Sequence, residues 1–417
     1  MNSRATILNS IESRAALERA ALAVHTNYGL GHRIVISMVE SLLGPLVRVF
    51  PTKSLSDLSR VQKIMVLEAG HLGDVVQLTP FLQNLRRRFP NAHIAVLGRP
   101  GLKNLLDVQN LADELIPIQL PWAQWLPLWR AYNPFSLLLL RFFRDILRLR
   151  RREFDLGFVT NLGDYRPNLA LFLAGARRRV GYGFAGGGLF LTDIVAPDLS
   201  RMHRFEMSLR LLEHIGIPVI PSEKLLALSP EDAQFGREFL ASNGIDESDA
   251  VVGIHSGAGY AIKEWGEDRF RELADKIVSE LGAKVIWFSD PGQPPPKFIG
   301  DNKDIVGASL PLRQFLGVLS CCHTFVGNDS GPMHMAAGLG VRVVAIFGPE
   351  LPEWFGPLGA GHQVVVREAM WCRPCWRKCR FAERYCLSLI SVEEVKQAVF
   401  NVVGRLARQE NVAEARL

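Results

Sequence analysis

The segment Gly327–His334 (GNDSGPMH) combines residue types that suit the binding of an anion. It lies between an apolar run and an Ala-rich stretch, a pattern that predicts a strand followed by a helix. Asp329 or Ser330 can cap that helix, and Pro332 suits its first turn, where no intrahelical N–H is needed. The helix N-terminus would then attract a diphosphate, with the ring of His334 one turn in. A capped helix without any ligand predicts the same spacing.

A second segment, Gly70–Asp74 (GHLGD), also separates a predicted strand from a predicted helix. Glycines at such a turn allow the backbone to approach a ligand closely. The carboxylate of Asp74 is suited to take a proton from an acceptor hydroxyl. An aspartate that only caps the helix fits the same position.

A third segment, His255–Gly259 (HSGAG), is followed by Lys263 and Trp265. A loop at the end of a strand would bring a cation and an aromatic ring to the same ligand. We expect Lys263 to neutralise a leaving diphosphate and Trp265 to pack on a base or a sugar. A lysine in a loop that is simply solvated is the alternative.

These segments lie in an alternation of strands and helices that occurs twice along the chain. The predicted strands are 63–68, 93–97, 115–118, 154–160 and 179–182 in the first half, and 251–255, 284–288, 324–326 and 343–347 in the second. The predicted helices are 75–89, 267–281, one from about 332 and one from Ser391, where Glu394 completes a capping box. This alternation predicts two parallel sheets, with a cleft at the carboxyl ends of their strands.

The alternation restarts after Pro218–Pro221, which predicts a linker there. The predicted domains are an N-terminal helical extension (1–58), a first α/β domain (59–220), a second α/β domain (221–395, with a cysteine segment at 371–386) and a C-terminal helix and tail (396–417).

Composition narrows the class of protein. Of 417 residues, 48% are hydrophobic and 22% are charged, which excludes disordered and fibrous classes. The formal charge of +6 suits phosphorylated or membrane-anchored anionic substrates and is weak evidence for a nucleic-acid binder. The sequence contains no G-x-G-x-x-G or Walker pattern, which argues against dinucleotide and P-loop chemistry. Because no export signal or long apolar run is apparent, we expect a cytoplasmic location.

Together, the three segments resemble glycosyltransferase family 9, the heptosyltransferases. The family carries G-D-x5-P after a strand, as at Gly73–Pro80, and an H-x-G loop followed by K-x-W, as at His255–Trp265. It also carries D-S/T-G-x-x-H, as at Asp329–His334. Two further stretches are similar to the family: Phe154–Asp155 with Arg179–Tyr182, and Phe347–Pro349 with Trp354. The likeness runs in the family's order from about residue 63 to residue 400.

The resemblance implies a GT-B fold of two Rossmann-like domains whose parallel sheets face a central cleft, with 59–220 as the acceptor domain and 221–395 as the nucleotide-sugar domain. It also implies inverting, metal-independent transfer of a sugar from a nucleotide sugar, with ADP-heptose as the expected donor. Asp74 takes the position of the general base, and Lys263 takes that of the donor-phosphate cation. The implied donor-site residues are Ser256, Gly257, Lys263, Trp265, Asp329, Ser330, Gly331 and His334. We see no carboxylate pair near the phosphate site, which also favours catalysis without a divalent ion.

One stretch departs from the family. After the strand at 284–288 the family usually has a Gly-rich turn with a glutamate that contacts the nucleotide ribose. Here Ser289–Pro296 reads SDPGQPPP, and the glutamate is missing. Asp290 or Gln293 can take its place, and the sequence does not choose between them.

Four of the six cysteines lie within fifteen residues, at Cys372, Cys375, Cys379 and Cys386. In a reducing compartment this density favours a metal held by four thiolates over reduced free thiols, and disulfides less still. Similar tails in the family, some with a bound metal, imply structural zinc or iron. Because the cluster follows Trp354, away from the matched donor residues, we expect it to stabilise fold or assembly.

Residues 122–152 combine aromatic and apolar positions with arginines. Trp122, Trp125 and Trp129 recur at helical spacing, and six arginines follow, at 141, 144, 148, 150, 151 and 152. The pattern is typical of a helix lying on an anionic membrane surface. A domain helix with a basic outer face predicts it equally well. Single-stranded nucleic acid would suit such a stripe too, but nothing else in the sequence supports it.

We therefore expect a heptosyltransferase at the inner face of the membrane, acting on a lipid-linked lipopolysaccharide-core acceptor, with an oligomeric state left open. A protein acceptor of the autotransporter type is the first alternative, and it keeps the same chemistry. A non-catalytic scaffold that retains the fold is the second. The joint presence of Asp74, Lys263, Asp329 and His334 argues against the scaffold.

Overall fold

The structure is a computed structural model that describes most of the chain from Asp57 onwards. The described residues are 38, 41, 47, 57–68, 70–118, 137–160, 166–183, 186–197, 203–221, 225–297, 302–375 and 378–414, with side chains to 404 except at 100, 138 and 139. Nearly all of the predicted extension at 1–58 lies outside these residues, as do Trp122, Trp125 and Trp129. The chain divides into two compact units, Met1–Ser222 and Glu223–Leu417.

The first unit contains one sheet of six parallel strands, in the order β3-β2-β1-β4-β5-β6. Its strands are β1 (Lys63–Leu67), β2 (His93–Gly98), β3 (Glu114–Pro117), β4 (Leu156–Val159), β5 (Arg178–Tyr182) and β6 (Asp193–Val195). Its described helices are α1 (Leu72–Arg88), α2 (Lys103–Leu106), α3 (Leu137–Arg150), α4 (Arg166–Leu173) and α5 (Arg204–His214). Helix α1 begins three residues before the predicted start and continues through Pro80.

The second unit contains another sheet of six parallel strands, in the order β9-β8-β7-β10-β11-β12. Its strands are β7 (Val251–His255), β8 (Lys284–Ser289), β9 (Ile305–Ser309), β10 (Thr324–Asn328), β11 (Arg342–Phe347) and β12 (Gln363–Val366). Its helices are α6 (Pro230–Ser242), α7 (Glu267–Leu281), α8 (Leu312–Ser320), α9 (Gly331–Gly338), α10 (Pro352–Phe355), α11 (Tyr385–Ser388) and α12 (Val392–Glu414).

Both sheets follow the doubly wound order 3-2-1-4-5-6, which confirms the predicted pair of Rossmann-like sheets. In such a sheet the strand order reverses between the two central strands, and ligands bind in the crevice beyond their carboxyl ends. The central pair is β1 and β4 in the first unit and β7 and β10 in the second. The predicted segments at 70–74, 255–265 and 329–334 each begin at or just after one of these strands.

Asp155 and Arg179, which lie in two of the stretches that resemble the family, hold the first sheet together. The Oδ2 atom of Asp155 accepts hydrogen bonds from the backbone N–H groups of Gln62 at 2.9 Å and Lys63 at 3.0 Å, at the start of β1. Arg179 is buried and donates to the carbonyl oxygens of Phe190 at 2.6 Å and Ala176 at 2.7 Å. Burial lowers the pKa of Arg179 to about 10. These contacts give both residues a role in folding.

The predicted capping box at the start of α12 is confirmed. The N–H of Ser391 donates to Oε2 of Glu394 at 2.9 Å, and the N–H of Glu394 donates to Oγ of Ser391 at 3.3 Å. The helix buries Val395, Val399 and Val402 in the core of the second unit. The predicted boundary at 396 falls inside this helix, which is therefore part of the second unit.

Candidate active site

An ion pair joins the two central loops of the second unit. Lys263 closes the short turn Ala261–Lys263 after β7, and Asp329 directly follows β10. Their Nζ and Oδ2 atoms lie 2.7 Å apart, and the side chains are only 15% and 5% exposed. The structure thus brings together the predicted donor-phosphate cation and the predicted donor-site acid.

Asn328, which sequence reasoning missed, fixes the same two loops to each other. Its side-chain amide donates to the carbonyl oxygen of Ser256 at 2.7 Å and to that of Gly257 at 3.3 Å. Its Oδ1 atom accepts from the backbone N–H of Trp265 at 3.0 Å. The predicted donor-site positions Ser256 and Gly257 are therefore held through their backbone, beside the ion pair.

At the N-terminus of helix α9, the side chain of the N-cap residue is not used for capping. Ser330 is the residue before the helix, yet its side chain makes no capping hydrogen bond, and Asp329 is engaged by Lys263. Among the described residues the Oγ atom of Ser330 has no hydrogen-bond partner. Gly331 begins the helix, and His334 is buried in its first turn. Ser330 is thus the N-cap residue, one of the two predicted positions, but it caps the helix without its side chain, whose Oγ atom remains available for a ligand.

Trp265 does not occupy the place predicted for it. Its side chain is 3% exposed, and its ring lies edge-on to that of Phe270 with centroids 5.0 Å apart. The indole N–H donates to the carbonyl oxygen of Ile390 at 2.9 Å. Because both the ring and its N–H are used inside the second unit, this packing leaves no face for a base or a sugar.

Glu350 is a buried carboxyl group beside the ion pair that the sequence did not reveal. It lies in the loop after β11, is 3% exposed, and places Oε1 at 3.9 Å from Nζ of Lys263. Burial raises the pKa of Glu350 to about 7, against the opposing effect of Lys263 and with a further rise from Asp329. The expectation of no carboxylate pair near the phosphate site is therefore wrong, because Asp329 and Glu350 both face Lys263.

A second charged cluster surrounds Asp74 in the first unit. Oδ2 of Asp74 accepts from the backbone N–H of His71 at 2.6 Å. His71 is the N-cap residue, so Asp74 closes a capping box from the third helical position and is not the N-cap aspartate of the alternative. Arg204 adds a second contact, with Nε at 3.5 Å from Oδ1 of Asp74 and Nη2 at 2.7 Å from Oε2 of Glu68. Burial alone lowers the pKa of Arg204, but the two carboxylates more than offset this and raise it.

Glu68 directly follows β1, and its side chain makes the hydrogen bonds that a buried carboxylate requires. It is 1% exposed and accepts from the N–H of Gly70 at 2.8 Å and from the hydroxyl of Thr160 at 2.6 Å, besides Arg204. Glu68 thus anchors Arg204 inside the unit. Of the two acids that contact Arg204, Asp74 is the more exposed, with a side chain 21% exposed.

The four cysteines of the segment at 371–386 lie near one another as free thiols. Cys372 and Cys386 are buried, and Cys375 and Cys379 are partly so. Burial and the neighbouring thiols raise the pKa of Cys375 to about 12, and burial raises that of Cys386. Within the part of the chain that is described, no three His, Cys, Asp or Glu side chains are arranged to hold a metal ion. The donor atoms thus suit zinc or iron by type, while their arrangement is not that of a coordination sphere.

The cysteine segment contacts the loops that carry the predicted donor-site residues, contrary to the expectation that it lies away from them. The N–H of Cys375 donates to the carbonyl of Pro349 at 3.1 Å, and Nη2 of Arg373 donates to that of Glu350 at 2.6 Å. Arg384 donates to the carbonyl of Ala261, in the turn that carries Lys263. The segment therefore supports both loops that face the ion pair.

The family model described as glycosyltransferase family 9 (heptosyltransferase) matches residues 144–385, more than half of the chain. The chain belongs to glycosyltransferase family 9. It is 25% identical over 364 residues to lipopolysaccharide heptosyltransferase 2 of Escherichia coli, a match that covers 84% of this chain and 99% of that protein. As a member of this family the protein is a glycosyltransferase.

Two solved structures show the shared fold. The ADP-heptose lipopolysaccharide heptosyltransferase II of Escherichia coli superposes with a TM-score of 0.62 at 19% identity, covering 83% of this chain and all of that one. The iron-containing dodecameric glycosyltransferase TibC of enterotoxigenic Escherichia coli gives a TM-score of 0.52 at 14% identity, covering 83% and 77%. The GT-B class predicted for this family-9 protein is confirmed.

The placement of Asp74 depends on the absence of a side chain at Gly70. A Cβ atom added at Gly70 would lie 2.4 Å from Oδ2 of Asp74, too close for the carboxylate to stay in place. We expect Gly70→Ala to lower sugar transfer on the order of 10²-fold, because Asp74 is the predicted general base and small displacements of a reacting group have effects of that size. Steady-state turnover and the melting temperature are the measurements.

The matched control is Gly404→Ala, where an added Cβ meets nothing within 4 Å. Turnover of the Gly70 variant equal to that of the control would show that the position of the Asp74 carboxylate is unimportant.

Proposed function

We propose that this protein transfers a heptose from ADP-heptose to a lipopolysaccharide-core acceptor, with inversion at the anomeric carbon and Asp74 as the general base. The Lys263–Asp329 ion pair beside the start of α9 is the observation that carries the proposal, because it puts a cation at a helix N-terminus, where a diphosphate binds. The names of the family-9 relatives support the sugar and the acceptor.

The reaction is a single displacement. The acceptor oxygen forms a bond to C1 of the sugar as the bond from C1 to the diphosphate oxygen breaks. The proton of the acceptor hydroxyl passes to the carboxylate of Asp74, and the electron pair of the broken bond leaves with the nucleoside diphosphate. Lys263 and the N–H groups at the start of α9 stabilise that leaving group. No step requires a divalent ion, and we expect transfer to survive EDTA.

Asp74→Asn is expected to reduce transfer by a factor on the order of 10² to 10⁴, the usual size of general-base effects. Fold and nucleotide binding should persist, because Glu68 still pairs with Arg204. Transfer rate, ADP affinity and melting temperature should be measured for this variant and for Asp107→Asn, a more exposed aspartate of the same unit. Near-normal transfer by Asp74→Asn would remove Asp74 from the mechanism.

A protein acceptor is the second candidate, and the four-cysteine segment is compatible with it. The lipid-linked acceptor leads because the match to lipopolysaccharide heptosyltransferase 2 covers nearly the whole of that protein. Incubation of the purified protein with ADP-heptose and either a lipopolysaccharide-core acceptor or an autotransporter domain separates the two. Nucleotide release with only the protein acceptor would favour the second candidate.

Helix α3 has the surface that a lipid-linked acceptor would require. Phe142, Ile146 and Leu149 are buried in the core of the first unit. On another side of the helix, an apolar stripe is 47% to 71% exposed and consists of Leu137, Leu140, Phe143 and Leu147. Six arginines and a single aspartate accompany this stripe within residues 137–152. No described helix is both long and apolar enough to cross a bilayer.

We propose that the apolar stripe of α3 enters the headgroup region of an anionic membrane. On a helix with 3.6 residues per turn, Leu140, Phe143 and Leu147 lie on one side. Arg150 borders this side along one edge, and Arg144 and Arg151 border it along the other. An apolar ridge between cations is complementary to anionic lipid. Each arginine near such a surface contributes about 1 kcal/mol, and salt screens the attraction.

Binding to anionic vesicles should fall steeply with salt and be weak on neutral vesicles. Arg148→Gln with Arg151→Gln should weaken it, and so should Leu140→Ser with Leu147→Ser, in a sedimentation assay. Arg60→Gln with Arg87→Gln removes two exposed arginines of the same unit elsewhere and is the control. If the leucine variant kept its vesicle binding but lost an oligomer in size-exclusion chromatography, the stripe would be a subunit contact instead.

We also propose that Cys372, Cys375, Cys379 and Cys386 hold one structural zinc or iron ion. The chemistry of four neighbouring thiols supports this, because four thiolates suit either metal. Elemental analysis of reduced protein should find roughly one metal per chain. Loss of the metal in Cys375→Ser should lower the melting temperature. Four titratable thiols and no metal in fresh protein would contradict the proposal.

A further inference from the structure

The carboxyl group of Glu350 has features of a ligand-binding group that the fold alone does not require. Its Oε2 atom is buried and has no hydrogen-bond partner among the described residues. Leaving a buried polar atom unpaired is unfavourable, so such an atom is usually paired in at least one functional state. Oε1 of the same carboxyl lies 3.9 Å from Nζ of Lys263.

The loop that carries Glu350 is fixed by three independent contacts. Arg373 and the N–H of Cys375 hold the carbonyl oxygens of Glu350 and Pro349, as described above. Gly348 lies against Leu387, where an added Cβ would come within 2.6 Å of the leucine side chain. The buried carboxyl is thus held beside Lys263 from one side by a well-anchored backbone.

The neighbouring charges indicate which part of a donor this carboxyl would contact. Two cations act on this carboxyl, because both Lys263 and Arg373 lower the pKa of Glu350. Arg373 directs Nη1 and Nη2 to the carbonyl oxygens of Arg367 and Glu350, and Lys263 is paired with Asp329 at 2.7 Å. A phosphate oxygen placed directly against Glu350 would therefore add a third anion beside cations that are already engaged. A hydroxyl group can both donate and accept a hydrogen bond, so it can pair with the carboxyl in either protonation state. The groups that adjoin the diphosphate in a nucleotide sugar are the hydroxyls of the ribose and of the sugar.

We propose that Glu350 is a donor-binding residue whose Oε2 atom pairs with a hydroxyl of the nucleotide sugar. This inference rests on the proposed function, and it assigns to Glu350 a contact with the donor that neither the family-like motifs nor the predicted site residues include. Asp290, the acid that follows β8, is engaged by His255, with Nε2 and Oδ1 3.4 Å apart.

The test compares three probes by isothermal titration calorimetry: inorganic diphosphate without hydroxyls, ADP with the ribose hydroxyls, and ADP-heptose with both sets. Glu350→Ala should leave diphosphate affinity within about twofold. It should weaken ADP-heptose by about 10- to 100-fold, the effect of losing a hydrogen bond to a charged group. Equal weakening of ADP assigns the ribose, and unchanged ADP affinity assigns the transferred sugar.

Two further variants separate a binding role from a structural one. Glu350→Gln keeps the shape and an acceptor oxygen, so it should recover most of the ADP-heptose affinity even if Glu350→Ala folds poorly. Glu353→Gln changes an exposed carboxylate three residues away and should match wild type. Equal losses for all three probes with a lower melting temperature, or no loss for any probe, would overturn the assignment of Glu350. Wild-type protein that binds none of the probes would instead overturn the proposed function, and this inference with it.

Discussion

The register between the two central strands of the second sheet determines where the site lies. His255 is paired with Gly327, so the next residues, Ser256 just after β7 and Asn328 at the end of β10, lie side by side. The amide of Asn328 then reaches the carbonyl of Ser256, and the two loops that follow carry Lys263 and Asp329 to within 2.7 Å. A shift of one residue would turn Asn328 to the opposite face of the sheet and separate the pair.

The two charged clusters differ in how completely their polar atoms are hydrogen-bonded. This difference indicates a structural role for the buried acid of the first unit and ligand binding for the cluster of the second. Glu68 in the first unit accepts from Gly70, Thr160 and Arg204, which is the full pairing that a buried carboxylate needs. In the second unit, the Oγ atom of Ser330 and Oε2 of Glu350 lack partners among the described residues. Buried ion pairs give little net stability even when well paired. A cluster with unpaired oxygens is therefore better explained by a ligand than by folding.

The central strands, and the residues that directly follow them, could be predicted from the sequence because buried parallel strands are continuous apolar runs. It did not reveal β6, β9 and β12, which lie at edges of the sheets and are short or interrupted by small and polar residues. It also missed Arg204 and Glu350, whose partners are 136 and 87 residues away along the chain. Trp265 shows the converse error. Its neighbours in sequence suggested a ligand, whereas contacts with Phe270 and Ile390 place it in the core.

The position of the cysteine segment links the proposed metal to the donor site through contacts that exist without it. Residues 378–384 form neither helix nor strand, so hydrogen bonds of regular structure do not hold them in place. Yet Arg384 fixes the turn of Lys263, and Arg373 fixes the loop of Glu350. A metal bound by the four thiols would restrict the motion of the chain between these two arginines. Loss of the metal would therefore first loosen the two loops that the arginines hold. The same segment can therefore be structural in its chemistry and still determine how well a donor is held, because the residues that it positions are those of the proposed diphosphate site.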